Sequence, residues 1–486
     1  MFISIEFLAL WLTAYVLYYT MLKSHQWLLL LLSSIVFYCI NVTDFPWILM
    51  TVFVLSYCSS LWISYARKKG CKDCYNKYVR IITNAICIIV WFIGRSSNLF
   101  VLFGNSYFTF KAIGYLIDVE NGSHEPEMNP AFYLLYLIYF PSLAQGPFNR
   151  YFSFKKQFEI NKLPNYERTM HGLQRFLYGV FKKLVLCPRL QLVSETMYNN
   201  LDLSMNGWTI VLGTVCCSLW YYLDFSGYMD MIIGISETFS IEIQENFKQP
   251  FFSKNVAEFW KRWHMTLGNW FKDYILFRFV QSSCGRKIRK AFSKLGKMPG
   301  KMAPIVCGTI AVWLFTGIWH GAGVRYLIWA LYYCVIIISS LLMEEKYKKI
   351  RYCLHVDENS NIYKLFQIAR TVILVLIANT ILEVRNIKDV QVIVDQLIGK
   401  SFWIGDGISL EMLDWKITDV VVCFIGMIII LTVSILKEKK IDVLKNVDRL
   451  ALPVRWGIYY CLIFTIVLLG KYGDGSASTD FLYMNF

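Results

Sequence analysis

The chain has 486 residues, of which 56% are hydrophobic and 17% charged, with a formal net charge of +15. A soluble globular chain carries about a quarter charged residues, so this composition excludes a single soluble domain. The positive charge sits between apolar runs, where it reads as a topology signal; no nucleic-acid role is expected.

A spanning helix needs about 20 apolar residues. The first run, Met1 to Met21, carries one acid, Glu6. It lacks a short apolar core followed by a small-residue cleavage site, so a retained helix is expected rather than a signal peptide. Further spans are expected over 26–42, 45–65, 131–148, 208–238, 303–320, 324–343, 365–384, 416–436 and 454–470. Residues 81–119 are apolar but broken at "GRSSN" and "FGNS". They read as a broken or re-entrant element making one net crossing, with its non-helical backbone buried in protein or lining a cavity. The fold class is all-α and polytopic, with about 10–12 spanning or re-entrant helices. One domain covers 1–486, with N-terminal helices over 1–80, a core over 100–335 and C-terminal helices over 345–486.

The connecting segments are strongly basic. Arg67 to Arg80 holds six basic residues and one acid, and Arg150 to Arg189 holds nine and two. Arg286 to Lys301 holds seven and none, and 346–351 and 437–455 are basic too. These loops should face the cytoplasm, which puts both termini outside. "ENGSHEPE", from Glu120, is acidic, and one crossing over 81–119 would put it on the opposite side. Cysteine usage is uninformative: the one CxxC, Cys71 to Cys74, has no second ligand pair, and no metal site is expected.

No GxxxxGK[ST], HExxH or GxSxG motif occurs. What remains are polar groups at membrane depth, which are functional candidates because their burial is costly. "YFPSLAQGPFNRYFSF" ends a span and puts Arg150 at its edge. In "SLWYYLDFSGYMDMIIGIS", Asp224 and Asp230 are six residues apart, about 600° around a helix. They do not form a carboxylate pair and are expected to support Arg or His side chains, with Gly227 a candidate helix break. "NVAEFWKRWHMTLGNWFKDYILFRF" reads as one amphipathic helix whose aromatic face includes His264. "TGIWHGAG" places His320 among Gly317, Gly321 and Gly323, which allow close backbone approach or a helix break. A lone buried histidine usually just ties helices together; two of them put chemistry on an equal footing with that structural role.

Five stretches occur in order over about 100–335: "YFTFKAIGYLIDV", "YFPSLAQGPFNRY", "DFSGYMDMIIGIS", "QPFFSKNVAEFWKRWHMTLGNWFKDYI" and "WLFTGIWHGAG". Together they resemble the membrane-bound O-acyltransferases, in the bacterial branch that includes alginate O-acetyltransferases and the D-alanyl transfer proteins of teichoic acid synthesis. The resemblance implies helices around a central tunnel in a bacterial plasma membrane. It implies an acyl thioester donor, acyl carrier protein or acyl-coenzyme A, on the cytoplasmic side and no resident cofactor. The acceptor would be a polysaccharide or teichoic acid hydroxyl on the other side, with a separate extracytoplasmic acyltransferase as partner. It puts the active-site histidine at His320 and the second at His264. Trp319, Asp224, Arg150 and Asn269 are the substrate-binding candidates. Chain length and the ending "STDFLYMNF" resemble the alginate type, whereas "GPFNRY" and "RWHMTLGNWFKDYILFRF" also resemble the D-alanyl type; O-acetylation is the favoured expectation. The basic stretch Arg286 to Lys301 would either dock an acidic carrier or only signal topology. A glycan or lipid transporter, or an inert scaffold, would instead leave His320 dispensable.

Overall fold

The computed structural model describes residues 3–42, 45–71, 73–96, 103–201, 205–321, 323–398, 403, 405 and 407–472. Among them there are no strands, only one isolated bridge between Phe247 and Trp263. Eight helices among the described residues are long and apolar enough to cross a membrane. The described residues divide into two compact units, one within 3–180 and 227–245, the other within 181–226 and 246–472.

In the first unit, α1 (Ile5–Tyr19) and α2 (Gln26–Asn41) meet through Phe7 and Phe37, whose rings are 5.5 Å apart. α3 (Trp47–Lys68), α4 (Asp73–Ser96) and α5 (Asn105–Glu120) pack together. The interruption expected in 81–119 falls between α4 and α5, and residues 97–102 lie outside the described ones. The expectation of one net crossing is overturned. Arg80 Nε lies 3.1 Å from Glu120 Oε2, and Lys68 Nζ lies 3.3 Å from Glu125 Oε2. The acidic stretch after α5 is therefore at the same end as the basic loop before α4. The two helices form a hairpin.

The expected span 131–148 is also corrected. α6 (Pro130–Ile138) lasts nine residues, and the chain then runs irregularly to α7 (Tyr151–Lys155). Pro141 and Pro147 supply no backbone N–H, which interrupts helical hydrogen bonding there. Both ends of this excursion return to one carboxylate. Asn129 N donates to Glu127 Oε1 at 2.9 Å, Lys155 Nζ donates to Glu127 Oε2 at 2.5 Å, and Tyr151 OH donates to the same oxygen. Residues 131–148 are a re-entrant excursion, not a crossing.

Helix continues from α8 (Tyr166–Val180) through a π-helical stretch (Phe181–Leu186) into α9 (Cys187–Asn199). Its neighbour is α10 (Gly207–Thr238), 32 unbroken residues. In the first unit a Cβ on Gly172 would lie 2.5 Å from Gly234 O, and one on Gly179 2.5 Å from Gly227 O. Gly227 thus does not break the helix; its carbonyl lies where Gly179 of α8 comes close. In the second unit Lys183 pairs with Asp224, and Tyr198 OH lies 3.4 Å from Thr214 Oγ1. As one number rises the other falls, so the helices run antiparallel. The basic segment Arg150 to Arg189 is consequently not all loop: Lys182, Lys183 and Arg189 are buried.

The second unit continues with the short helices α11 (Val256–Arg262), α12 (Met265–Phe271) and α13 (Phe277–Gln281), then the exposed basic α14 (Ser283–Ser293). α15 (Lys297–His320) and α16 (Val324–Leu342) form a hairpin in which a Cβ on Gly317 would lie 2.9 Å from Ala330 Cβ. After α17 (Glu344–Cys353), α18 (Asn361–Glu383) joins α10 through Asn379 Nδ2 and Ser218 Oγ at 2.8 Å. α19 (Ile387–Ile398), α20 (Ile417–Glu438), α21 (Val443–Asp448) and α22 (Leu452–Leu469) follow as the last described helices, with α20 held by Arg189 and Asp419 at 2.8 Å.

Candidate active site

The stretch around His264 is not the single helix that its periodicity suggests. α11 stops at Arg262, Trp263 is extended, and His264 has φ 46° and ψ 52°, in the left-handed region. A non-glycine residue there costs about 1–3 kcal/mol and persists only where its surroundings hold it. Here the backbone of 246–248 holds it: Lys248 N donates to Arg262 O at 2.9 Å, and Met265 N donates to Asn246 O at 3.0 Å. His264 is buried, as expected, but through this turn and not through helix phase.

Asn246 also sets the imidazole. Its Oδ1 accepts from Thr266 N at 3.0 Å and Thr266 Oγ1 at 2.9 Å, and lies 3.2 Å from His264 Nδ1. A backbone N–H only donates, so the Asn246 atom facing it is the oxygen. His264 Nδ1 must then carry the proton, leaving the lone pair on Nε2. Burial pushes this imidazole down to about 3, and the nearby His320 adds to the shift. The ring is neutral around pH 7.

His320 is the last residue of α15. Its glycines act by close approach: a Cβ on Gly321 would collide with the Tyr326 ring. Trp319, fully buried, lies beside both histidines, its ring 6.3 Å from His264 and 4.7 Å from His320. Phe225 closes on His264 at 4.7 Å, and Trp329 on His320 at 4.7 Å. Two imidazoles thus share one aromatic cluster, 56 residues apart in sequence.

The other candidates divide. Asp224 is buried but pairs with Lys183, with Cys187 Sγ 3.7 Å from its Oδ1; the expected Arg or His partner is corrected to a lysine. Asp230 meets the expectation, lying 3.1 Å from Arg175. Asn269 is exposed, while Thr266 and Trp270 on the same helix are buried. Arg150 belongs to the first unit, where it opens α7. Among the described residues no group of three or more His, Cys, Asp or Glu could hold a metal. Cys71 is exposed, and the Cys74 side chain lies outside the described residues. Asn246 and Trp329 were not legible from the sequence: no spacing links either to a histidine.

The molecule is thus a multi-pass helical membrane protein with two buried histidines in one aromatic cluster. Residues 35–355, well over half of the chain and including both histidines, match the model of the membrane-bound O-acyltransferase family. The chain belongs to that family. It is 28% identical over 333 residues to the probable alginate O-acetylase AlgI of Pseudomonas syringae pv. tomato, covering 64% of this chain and 60% of that protein. It is 28% identical over 261 residues to the teichoic acid D-alanyltransferase of Bacillus subtilis, covering 52% and 62%. It is 30% identical over 252 residues to the peptidoglycan O-acetyltransferase of Helicobacter pylori, covering 46% and 45%. The chain spans less than two thirds of the length of each of these relatives.

Proposed function

We propose that the chain transfers an acyl group, acetyl in the first instance, from a cytoplasmic thioester to hydroxyls of an exported or cell-wall polysaccharide. The observation that carries this reading is the His264–Trp319–His320 cluster, built within the matched family region. The acceptor oxygen attacks the thioester carbonyl carbon while His320 takes its proton, and the thiolate leaves. His264, held as a fixed tautomer by Asn246, presents a lone pair on Nε2 and orients donor or acceptor. A buried site excludes the water that would hydrolyse the thioester. The donor is an acyl carrier protein or acyl-coenzyme A, and the exposed basic α14 suits an acidic carrier. A separate extracytoplasmic acyltransferase would take the group onward. D-alanyl transfer to teichoic acid is the second reading, favoured by the similarity to the Bacillus subtilis protein.

The test is His320→Ala in a strain otherwise lacking the protein, with envelope glycans analysed by mass spectrometry. The acyl mark should disappear, a loss of at least ~10²-fold, with membrane levels of the protein unchanged. Wild-type acylation by this variant would overturn the assignment and return the transporter and scaffold readings. The mass of the lost group separates acetyl from D-alanyl.

A further inference from the structure

Acyl transfer needs more than a base. When the acceptor oxygen bonds to the carbonyl carbon, the C=O π pair moves to the carbonyl oxygen, which becomes an oxyanion. Donors aimed at that oxygen supply a large part of the rate enhancement of such reactions.

Trp329, on α16, is buried (3% exposed), and its ring lies 4.7 Å from the His320 ring at 65°. Its indole N–H is buried and has no hydrogen-bond partner among the described residues. An indole N–H is a donor only, and leaving one unmet in a protein interior is unfavourable. Packing alone does not require it, since Phe would fill much of the same space with no orphaned donor. The surroundings are otherwise aromatic: Trp313 at 6.0 Å, Tyr333 at 5.4 Å and Trp260 at 5.7 Å. Such walls exclude water and strengthen any hydrogen bond formed inside. Gly317 lets α15 and α16 approach closely enough for this contact.

We infer that Trp329 is a catalytic residue whose indole N–H donates to the thioester carbonyl oxygen as it becomes an oxyanion beside His320. The balance is closed. The hydroxyl proton goes to His320, the π pair goes to the oxygen held by Trp329, and collapse restores C=O and expels the thiolate, which recovers the proton. This rests on the acyltransferase reading.

The experiment uses the full chain in a strain lacking it, with wild type, Trp329→Phe and Trp329→3-benzothienylalanine, the last replacing N–H by sulfur in a ring of similar size. The rate of O-acyl accumulation on envelope glycans is followed by mass spectrometry, and the melting temperature of each purified protein is measured. The benzothienyl variant should melt like wild type and acylate ~10²–10³-fold more slowly. Fluorinated tryptophans at position 329, whose N–H is more acidic, should change the rate in step with that acidity, which a packing role would not do. Equal rates for wild type and the benzothienyl variant, or rates indifferent to fluorination, would overturn the indole's role and leave the acyltransferase reading intact. A wild type that acylates nothing would sink that reading, and this one with it.

Discussion

His264 shows how a side chain becomes useful through its neighbours. Its backbone is strained, its Nδ1 is committed to Asn246, and its burial disfavours the charged form. The consequence for stability has a definite sign. The folded-state value is about 3, below the ordinary histidine value of 6.5. Between those limits the unfolded chain binds the extra proton, so stability is complete above about pH 6.5 and falls as pH drops toward 3. The steepest contribution is about 1.4 kcal/mol per pH unit. In detergent, wild type should lose more melting temperature between pH 7.5 and 5 than His264→Gln does. Parallel losses would show that His264 is not held neutral. That His264 is buried was legible from its place among tryptophans. That Asn246 holds it was not, because a hydrogen bond across 18 residues leaves no periodic trace.

At the scale of elements, hydropathy identified the long helices well and failed where charge or proline intervened. The helix from Tyr166 to Asn199 read as a basic loop because Lys182, Lys183 and Arg189 dilute its apolar character. Buried pairing explains how it tolerates them: Lys183 with Asp224, and Arg189 with Asp419. Its union with α10 depends on glycine, since the Gly234 carbonyl leaves no room for a Cβ on Gly172. Gly172→Ala should therefore destabilise by about 1–3 kcal/mol through overpacking. Gly457→Ala, with nothing within 4 Å of its new methyl, should be neutral or slightly stabilising. Thermal melting of the two variants compares them directly, and equal melting points would contradict the close crossing.

At the scale of the whole chain, the structure bears on the expected topology between Arg67 and Arg150, where the elements change. In place of one crossing by 81–119 and one by 131–148 stand the α4–α5 hairpin and the re-entrant excursion, each returning to its starting end, so Arg150 stays on the side of Arg67. The two schemes differ at Glu125, which the sequence alone puts opposite Cys71 and which the Lys68 pair puts beside it. Single-cysteine variants decide between them. Glu125→Cys should react with a membrane-impermeant maleimide from the same side as a variant that keeps only native Cys71. Labelling of Glu125→Cys from the opposite side would restore the single crossing.

The sequence by itself determined that this is a polytopic helical membrane protein and which two histidines lie inside it. Hydropathy and residue order are properties of local stretches, and they need no partner to be read. Only the tertiary structure decided that His264 sits on a left-handed turn, that Asn246 sets its tautomer, that Trp319 lies beside both it and His320, and that lysines run through a buried helix. Each of those depends on a group far along the chain arriving at hydrogen-bond or van der Waals distance, and no spacing within the sequence encodes that arrival.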